Sequence, residues 1–155
     1  MELQHRSIHT VILALVAAAV LLAASAPIPA FADDAAPAAP AVSPSHFVAY
    51  YFHGNVRCAT CRKLEALSEE SIRGGFPEAI ASGRLEWRLI NTDEPENKHF
   101  VQDFQLVTKS LVLVEEHDGE VVRSENLRLV WQLVNDHDGF VKYVRDATRT
   151  FLGEG

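Results

Sequence analysis

Apolar residues fall along the chain in short dense runs set between segments of helical spacing. Phe47 to Phe52 (Phe-Val-Ala-Tyr-Tyr-Phe) has no polar interruption. A half-exposed strand would alternate, so this run predicts a central strand covered on both faces. Leu85 to Ile90 predicts a second strand and Ser110 to Val114 a third. Asp118-Gly119 is a hairpin turn signal, with Glu120 to Arg123 as the return strand. Between these runs the pattern is helical. Arg62 to Leu67 is built of strong helix formers. Gly74, Gly75 and Pro77 interrupt that stretch, which resumes over Glu78 to Ser82 and stops at Gly83. Pro95 suits a first helical turn that continues through Asn97 to Phe104. Leu127 to Val134 reads as a short amphipathic piece. Asp138 is expected to cap a last helix, with Phe140, Val141, Val144, Ala147, Phe151 and Leu152 at helical spacing and Gly153 at its end. The order β-α-β-α-β-β-α predicts an α/β fold, a mixed central sheet with helices on both faces.

Before Phe47 the pattern changes. Met1 to Ala32 reads as a secretory signal peptide: Arg6 and two histidines open it, Val11 to Ala24 is apolar, and Ala30-Phe31-Ala32 supplies a small-x-small cleavage site. The alternative is an uncleaved membrane anchor, but the apolar run is shorter than the roughly 20 residues a span needs. Residues 33–46 are rich in Ala and Pro and form a linker. Residues 47–155 remain as one domain, enough for a small core. Export places the chain in the periplasm, with no stable membrane insertion after cleavage.

The formal net charge is −7, and all of it lies after the signal, where Glu2 and Arg6 cancel. An acidic chain without a basic stripe argues against nucleic acid and anionic membrane surfaces.

The chain has two cysteines, Cys58 and Cys61, at the predicted junction of first strand and first helix. An exported protein can carry a structural bridge. A bridge between residues three apart closes so small a loop that it removes little freedom from the unfolded chain. The spacing therefore points to chemistry. At a helix start, free N–H groups and the positive dipole end favour a thiolate on Cys58. That thiolate attacks a disulfide, and Cys61 resolves the mixed disulfide. Arg57, Arg62 and Lys63 surround the motif; each either lowers the Cys58 pKa or is simply solvated.

The sequence of strand, C-x-x-C, helix, strand, Asn91-Thr92-Asp93 turn, helix, strand and Asp118-Gly119 hairpin resembles the thioredoxin fold, over nearly all of Phe47 to Leu152. More narrowly, Tyr-Phe-His-Gly-Asn-x-Arg-Cys-x-Thr-Cys, Asn-x-Asp-Glu-Pro-Glu-Asn-Lys-His-Phe, Lys-Ser-Leu-Val-Leu-Val and Asn-Leu-x-x-x-Trp are similar to a bacterial group named nitrophenyl compound nitroreductase subunit, ArsF family. That resemblance implies a redox partner of a reductase. Three departures from ordinary thioredoxin stand out. Ala59-Thr60 replaces Gly-Pro between the cysteines. Lys109 stands where thioredoxin has its cis-proline, and a cis bond before a non-proline costs about 2.5–4 kcal/mol, so a trans peptide is expected. The first strand holds no acid to take the proton of Cys61. With Lys109, the arginines and the helix dipole all favouring thiolate, the reduction potential is expected above thioredoxin's, about −270 mV.

His53 ends the first strand, five residues before Cys58. It is a proton shuttle for the cysteines, a third ligand with Cys58 and Cys61 for copper(I) or zinc, or a plain strand-end residue. There is no second C-x-x-C and no H-x-x-H, and Arg62 excludes the haem-attachment motif. His99 and His117 are expected to be solvated, Glu115-Glu116 to keep a sheet edge soluble, and Trp87 and Trp131 to anchor core or interface. Of Tyr50 and Tyr51, one is expected beneath the motif. Three functions follow: a dithiol–disulfide oxidoreductase acting on a protein disulfide, with the Cys58–Cys61 disulfide as its only redox group; a redox subunit docking on a reductase partner; or a copper or soft-metal carrier.

Overall fold

The structure is a computed structural model that describes residues 45–154; the expected signal peptide and nearly all of the expected linker lie outside them. The elements in chain order are β1 (His46–His53), α1 (Ala59–Gly75), α2 (Pro77–Ala81), β2 (Leu85–Asn91), a 3-10 turn (Pro95–Asn97), α3 (His99–Asp103), β3 (Ser110–His117), β4 (Glu120–Asn126), α4 (Val130–Leu133) and α5 (His137–Phe151). The sheet order is β2-β1-β3-β4. β1 runs parallel to β2 and antiparallel to β3, and β3 pairs antiparallel with β4. The expected α/β class and mixed sheet are both present.

β1 is apolar throughout because it is central and both its faces are covered. On one face, Phe47, Ala49 and Tyr51 join Leu64 and Ile72 of α1 and Phe140, Val144 and Phe151 of α5. On the other, Val48, Tyr50 and Phe52 pack against Phe100 and Phe104, at and just after α3. Helices thus lie on both faces of the sheet, in three layers. The β3–β4 hairpin turns on Asp118 (φ 52°) and Gly119 (φ 84°). Two successive left-handed residues give the turn whose twist matches the strands, which explains the Asp-Gly pair.

Several sequence expectations need correction. His46 belongs to β1 rather than to the linker. Gly74 and Gly75 end α1 instead of interrupting it; the break comes at Phe76, because Pro77 cannot continue a helix but suits the start of the next. The expected helix over Asn97 to Phe104 divides into the 3-10 turn and the short α3. Asp136, not Asp138, caps α5: its carboxylate accepts from the Gly139 N–H at 3.0 Å. Asp138 sits in the first turn, where the dipole also favours an acid. Glu115 and Glu116 lie on the inner strand β3 and not at an edge; Glu115 pairs with Arg123 and His117, and Glu116 with His46. His117 is correspondingly held between Ser45 and Glu115.

Candidate active site

β1 delivers the chain to the middle of one sheet end, and Gly54 to Arg57 carry it into α1. Cys58 is the N-cap of α1, with extended backbone (φ −69°, ψ 167°), and its Sγ accepts the Cys61 N–H at 3.2 Å. The two Cα atoms are 5.1 Å apart and the sulfurs lie at bonding distance. Cys58 is exposed, whereas Cys61 is only 7% exposed. No acidic residue occupies the first turn of α1. Nothing there opposes the helix dipole, so negative charge on the Cys58 sulfur is favoured by that dipole and by the Cys61 N–H.

Beneath the motif lies Tyr51, 1% exposed, whose hydroxyl donates to the Cys61 carbonyl at 2.9 Å. Burial pushes its phenol up to about 12, and the nearby Arg57 charge acts the other way. Tyr50, on the opposite face, stacks on Phe52 and reaches Glu116 and Arg88 instead. The flanking cations, alike in sequence, differ in place. Arg57 pairs with Glu65. Arg62 donates to the Arg57 carbonyl at 2.6 Å, and Lys63 to the Asn135 side chain at 3.2 Å. Lys63 is therefore tied to the residue before the N-cap of α5 rather than to a cysteine.

The loop carrying the motif is latched to the loop after β2. Asp93 accepts the Asn55 N–H at 2.7 Å, and Asn91 donates to the Asn55 side chain at 2.8 Å. Thr92 bonds the His53 carbonyl through both its N–H and its hydroxyl. Gly54 permits this approach: a Cβ there would sit 2.8 Å from the Asp93 carboxylate. Gly54→Ala should displace Asp93 and break its bond to Asn55, costing about 1–2 kcal/mol. Thermal unfolding reads the loss, and a variant as stable as the parent would refute the latch.

Across from the motif loop, Leu106 to Lys109 lead into β3. The peptide before Lys109 is trans, as are all others among the described residues. The Trp131 indole donates to the Lys109 carbonyl at 2.9 Å and fixes this loop from α4. His53 and Lys109 line one cavity of about 330 Å³ together with Gly54, Val56, Asp93 and Val107. Val56 is 78% and Val107 96% exposed, an apolar pair at its rim. The structure therefore brings His53 and Lys109 together on the wall of one cavity, which neither cysteine lines. The His53 Nδ1 pairs with the Gly54 carbonyl at 3.1 Å. Among the described residues no three His, Cys, Asp or Glu side chains converge as metal ligands, so His53, Cys58 and Cys61 do not form that cluster with the sulfurs joined.

Sequence reasoning missed Glu65, Asp93 and the link from Trp131 to Lys109. A signal for the first exists: Glu65 follows Cys61 by four residues, hence one turn along the same helix face. Asn91 and Asp93 stand out as an Asn-x-Asp turn, but nothing local says what they hold.

Strand order, covering helices and a C-x-x-C pair at the start of α1 define a thioredoxin-like α/β fold with its two cysteines at disulfide distance. No family model matches the chain, and no curated protein does. Among solved structures, the chain is similar to the thioredoxin of Trypanosoma brucei brucei, at 16% identity over 63% of this chain and 76% of that one, with a TM-score of 0.35. The fold stands on the topology described above.

Proposed function

We propose that the protein is an exported thiol–disulfide oxidoreductase acting on a disulfide of a partner protein. The Cys58 thiolate attacks one partner sulfur, forms a mixed disulfide and releases the other partner sulfur as thiolate. Cys61 then gives up its proton and attacks Cys58, which releases the second partner thiol and closes the Cys58–Cys61 bond. The partner gains two electrons and the cysteine pair loses them; run backwards, the same steps oxidise the partner. The observation that carries this reading is the unequal burial of the two cysteines: Cys58 exposed at the helix N-cap, Cys61 buried. Export rests on the basic, apolar and small-x-small order of residues 1–32.

The exposed Val56 and Val107 favour a protein over a small thiol as partner, since exposed apolar rims are used for docking. They also suit the narrower reading, a subunit that docks on a reductase, which the resemblance to the nitroreductase-subunit group supports. His53 and Lys109 are the supporting residues nearest that rim.

Cys61→Ser is expected to accumulate covalent partner adducts through Cys58, released by reductant and identified by mass spectrometry. A trapped reductase would favour the subunit reading. No adducts in the exported fraction, together with stoichiometric copper(I) binding, would replace the oxidoreductase by a metal carrier. A glutathione titration of the purified protein should give a midpoint above about −270 mV; a value at or below it would remove the claim that the setting favours the dithiol.

A further inference from the structure

Arg57, next to Cys58 in the chain, and Glu65, one helical turn beyond Cys61, form an ion pair, and the exchange steps above use neither. Their side chains are 30% and 20% exposed. The Arg57 Nε is fully buried and has no hydrogen-bond partner. The Glu65 Oε2 that meets the guanidinium is buried as well, so the contact between the two charges is shielded from solvent although both side chains reach the surface. The neighbours of the guanidinium define its place. Arg57 directly precedes Cys58, and its carbonyl accepts from Arg62. Its charge reaches the Tyr51 phenol, whose hydroxyl is 2.9 Å from the Cys61 carbonyl. Glu65 stands one helical turn beyond Cys61 on the same face of α1.

We infer that Glu65 is a positioning residue that sets the redox poise of the cysteine pair by neutralising Arg57. The inference rests on reading the pair as a thiol–disulfide couple. When a dithiol reductant opens the Cys58–Cys61 bond, the pair takes up two electrons and the reductant becomes a disulfide. The products here are a Cys58 thiolate and a Cys61 thiol, with one proton released to solvent. The disulfide has no charge for Arg57 or Glu65 to act on; the thiolate does. Arg57 stabilises that anion, and Glu65 opposes it twice, by its own charge and by occupying the guanidinium. Half-buried charges are screened less than surface ones, so the effect persists in salt. Of the remaining charges around the motif, Arg62 stays beside it on the Arg57 carbonyl and is common to every variant below, Lys63 is on Asn135, and Lys109, His53 and Asp93 line the facing cavity.

The test is a glutathione redox titration of the full chain, paired with a pH titration of thiolate absorbance. Glu65→Gln should raise the ratio of dithiol to disulfide by on the order of tenfold, about 30 mV higher in potential, and lower the pH at which Cys58 ionises. Arg57→Gln should shift both readouts the opposite way, Arg57→Lys should restore them, and the double Gln variant should return close to the parent. A merely structural pair would change melting temperature and leave the ionisation of Cys58 in place. If Glu65→Gln moves neither readout, or moves them downward, the inference is wrong; this variant decides it alone should Arg57→Gln not fold. A pair that never cycles would instead defeat the oxidoreductase reading, while one that cycles without responding to Glu65 defeats only this inference.

Discussion

Cys58→Ser is expected to abolish disulfide exchange completely while leaving the protein folded. Serine forms no disulfide, and its hydroxyl does not ionise near neutral pH, so neither the attack nor the mixed disulfide survives. The structural cost is small by comparison. Closing a loop of a few residues contributes about 2 kcal/mol at most in the chain-entropy model. Serine also keeps the cap, because its hydroxyl accepts the Cys61 N–H that Cys58 accepts at 3.2 Å. The contrast with Cys61→Ser is the informative part. That variant keeps the exposed attacking cysteine and loses only the buried resolving one, so it stalls as an adduct rather than falling silent. Insulin reduction or any protein-disulfide assay reads the first effect, and circular dichroism the retained fold. Residual exchange in Cys58→Ser, lost only in Cys61→Ser, would reverse the roles given to the two cysteines.

Tyr51→Ala should cost about 3–5 kcal/mol, the range for deleting a large aromatic side chain from a core. Tyr51 is 1% exposed, belongs to the main core with Leu64 and Leu111, and stacks on Trp87 with ring centroids 6.3 Å apart. Tyr51→Phe keeps the packing and removes only the hydroxyl's bond to the Cys61 carbonyl, worth about 1 kcal/mol. The phenol gives a second, pH-dependent signature. Its ionisation moves from the ordinary 10.0 up to about 12 because burial disfavours the charged form. A group raised in the folded state contributes stability that is fully present below its unfolded value. That stability is lost as pH climbs from about 10 through about 12, by roughly 3 kcal/mol in all. Denaturant titrations across that window should show the parent weakening and Tyr51→Phe free of this component. If the two weaken in parallel, the hydroxyl is not buried beneath the motif.

Much of this was legible along the chain. The unbroken apolar run of β1 announces a central strand, since only a strand covered twice has no polar face. Asp118-Gly119 announces the hairpin because left-handed backbone at two consecutive positions selects such residues. C-x-x-C before a helical stretch announces a dithiol at a helix start. The misjudged points share one cause. Asp138 rather than Asp136 as the cap, and Glu115-Glu116 as an edge, are choices between neighbours that differ only in what lies across from them.

What the sequence determined by itself is therefore local: which stretches are strands and helices, and that Cys58 and Cys61 stand where a helix dipole meets them. Tertiary structure alone decided which of the like-looking charges matter. Arg57, Arg62 and Lys63 are equivalent in the sequence, yet one is paired with Glu65, one bonds a carbonyl and one crosses to Asn135. It also joined Trp131 to Lys109 and Asp93 to Asn55, pairs separated by 22 and 38 positions. A residue's type and spacing fix its own backbone preferences, but the field at a sulfur depends on charges brought near by the fold, and no local pattern records them.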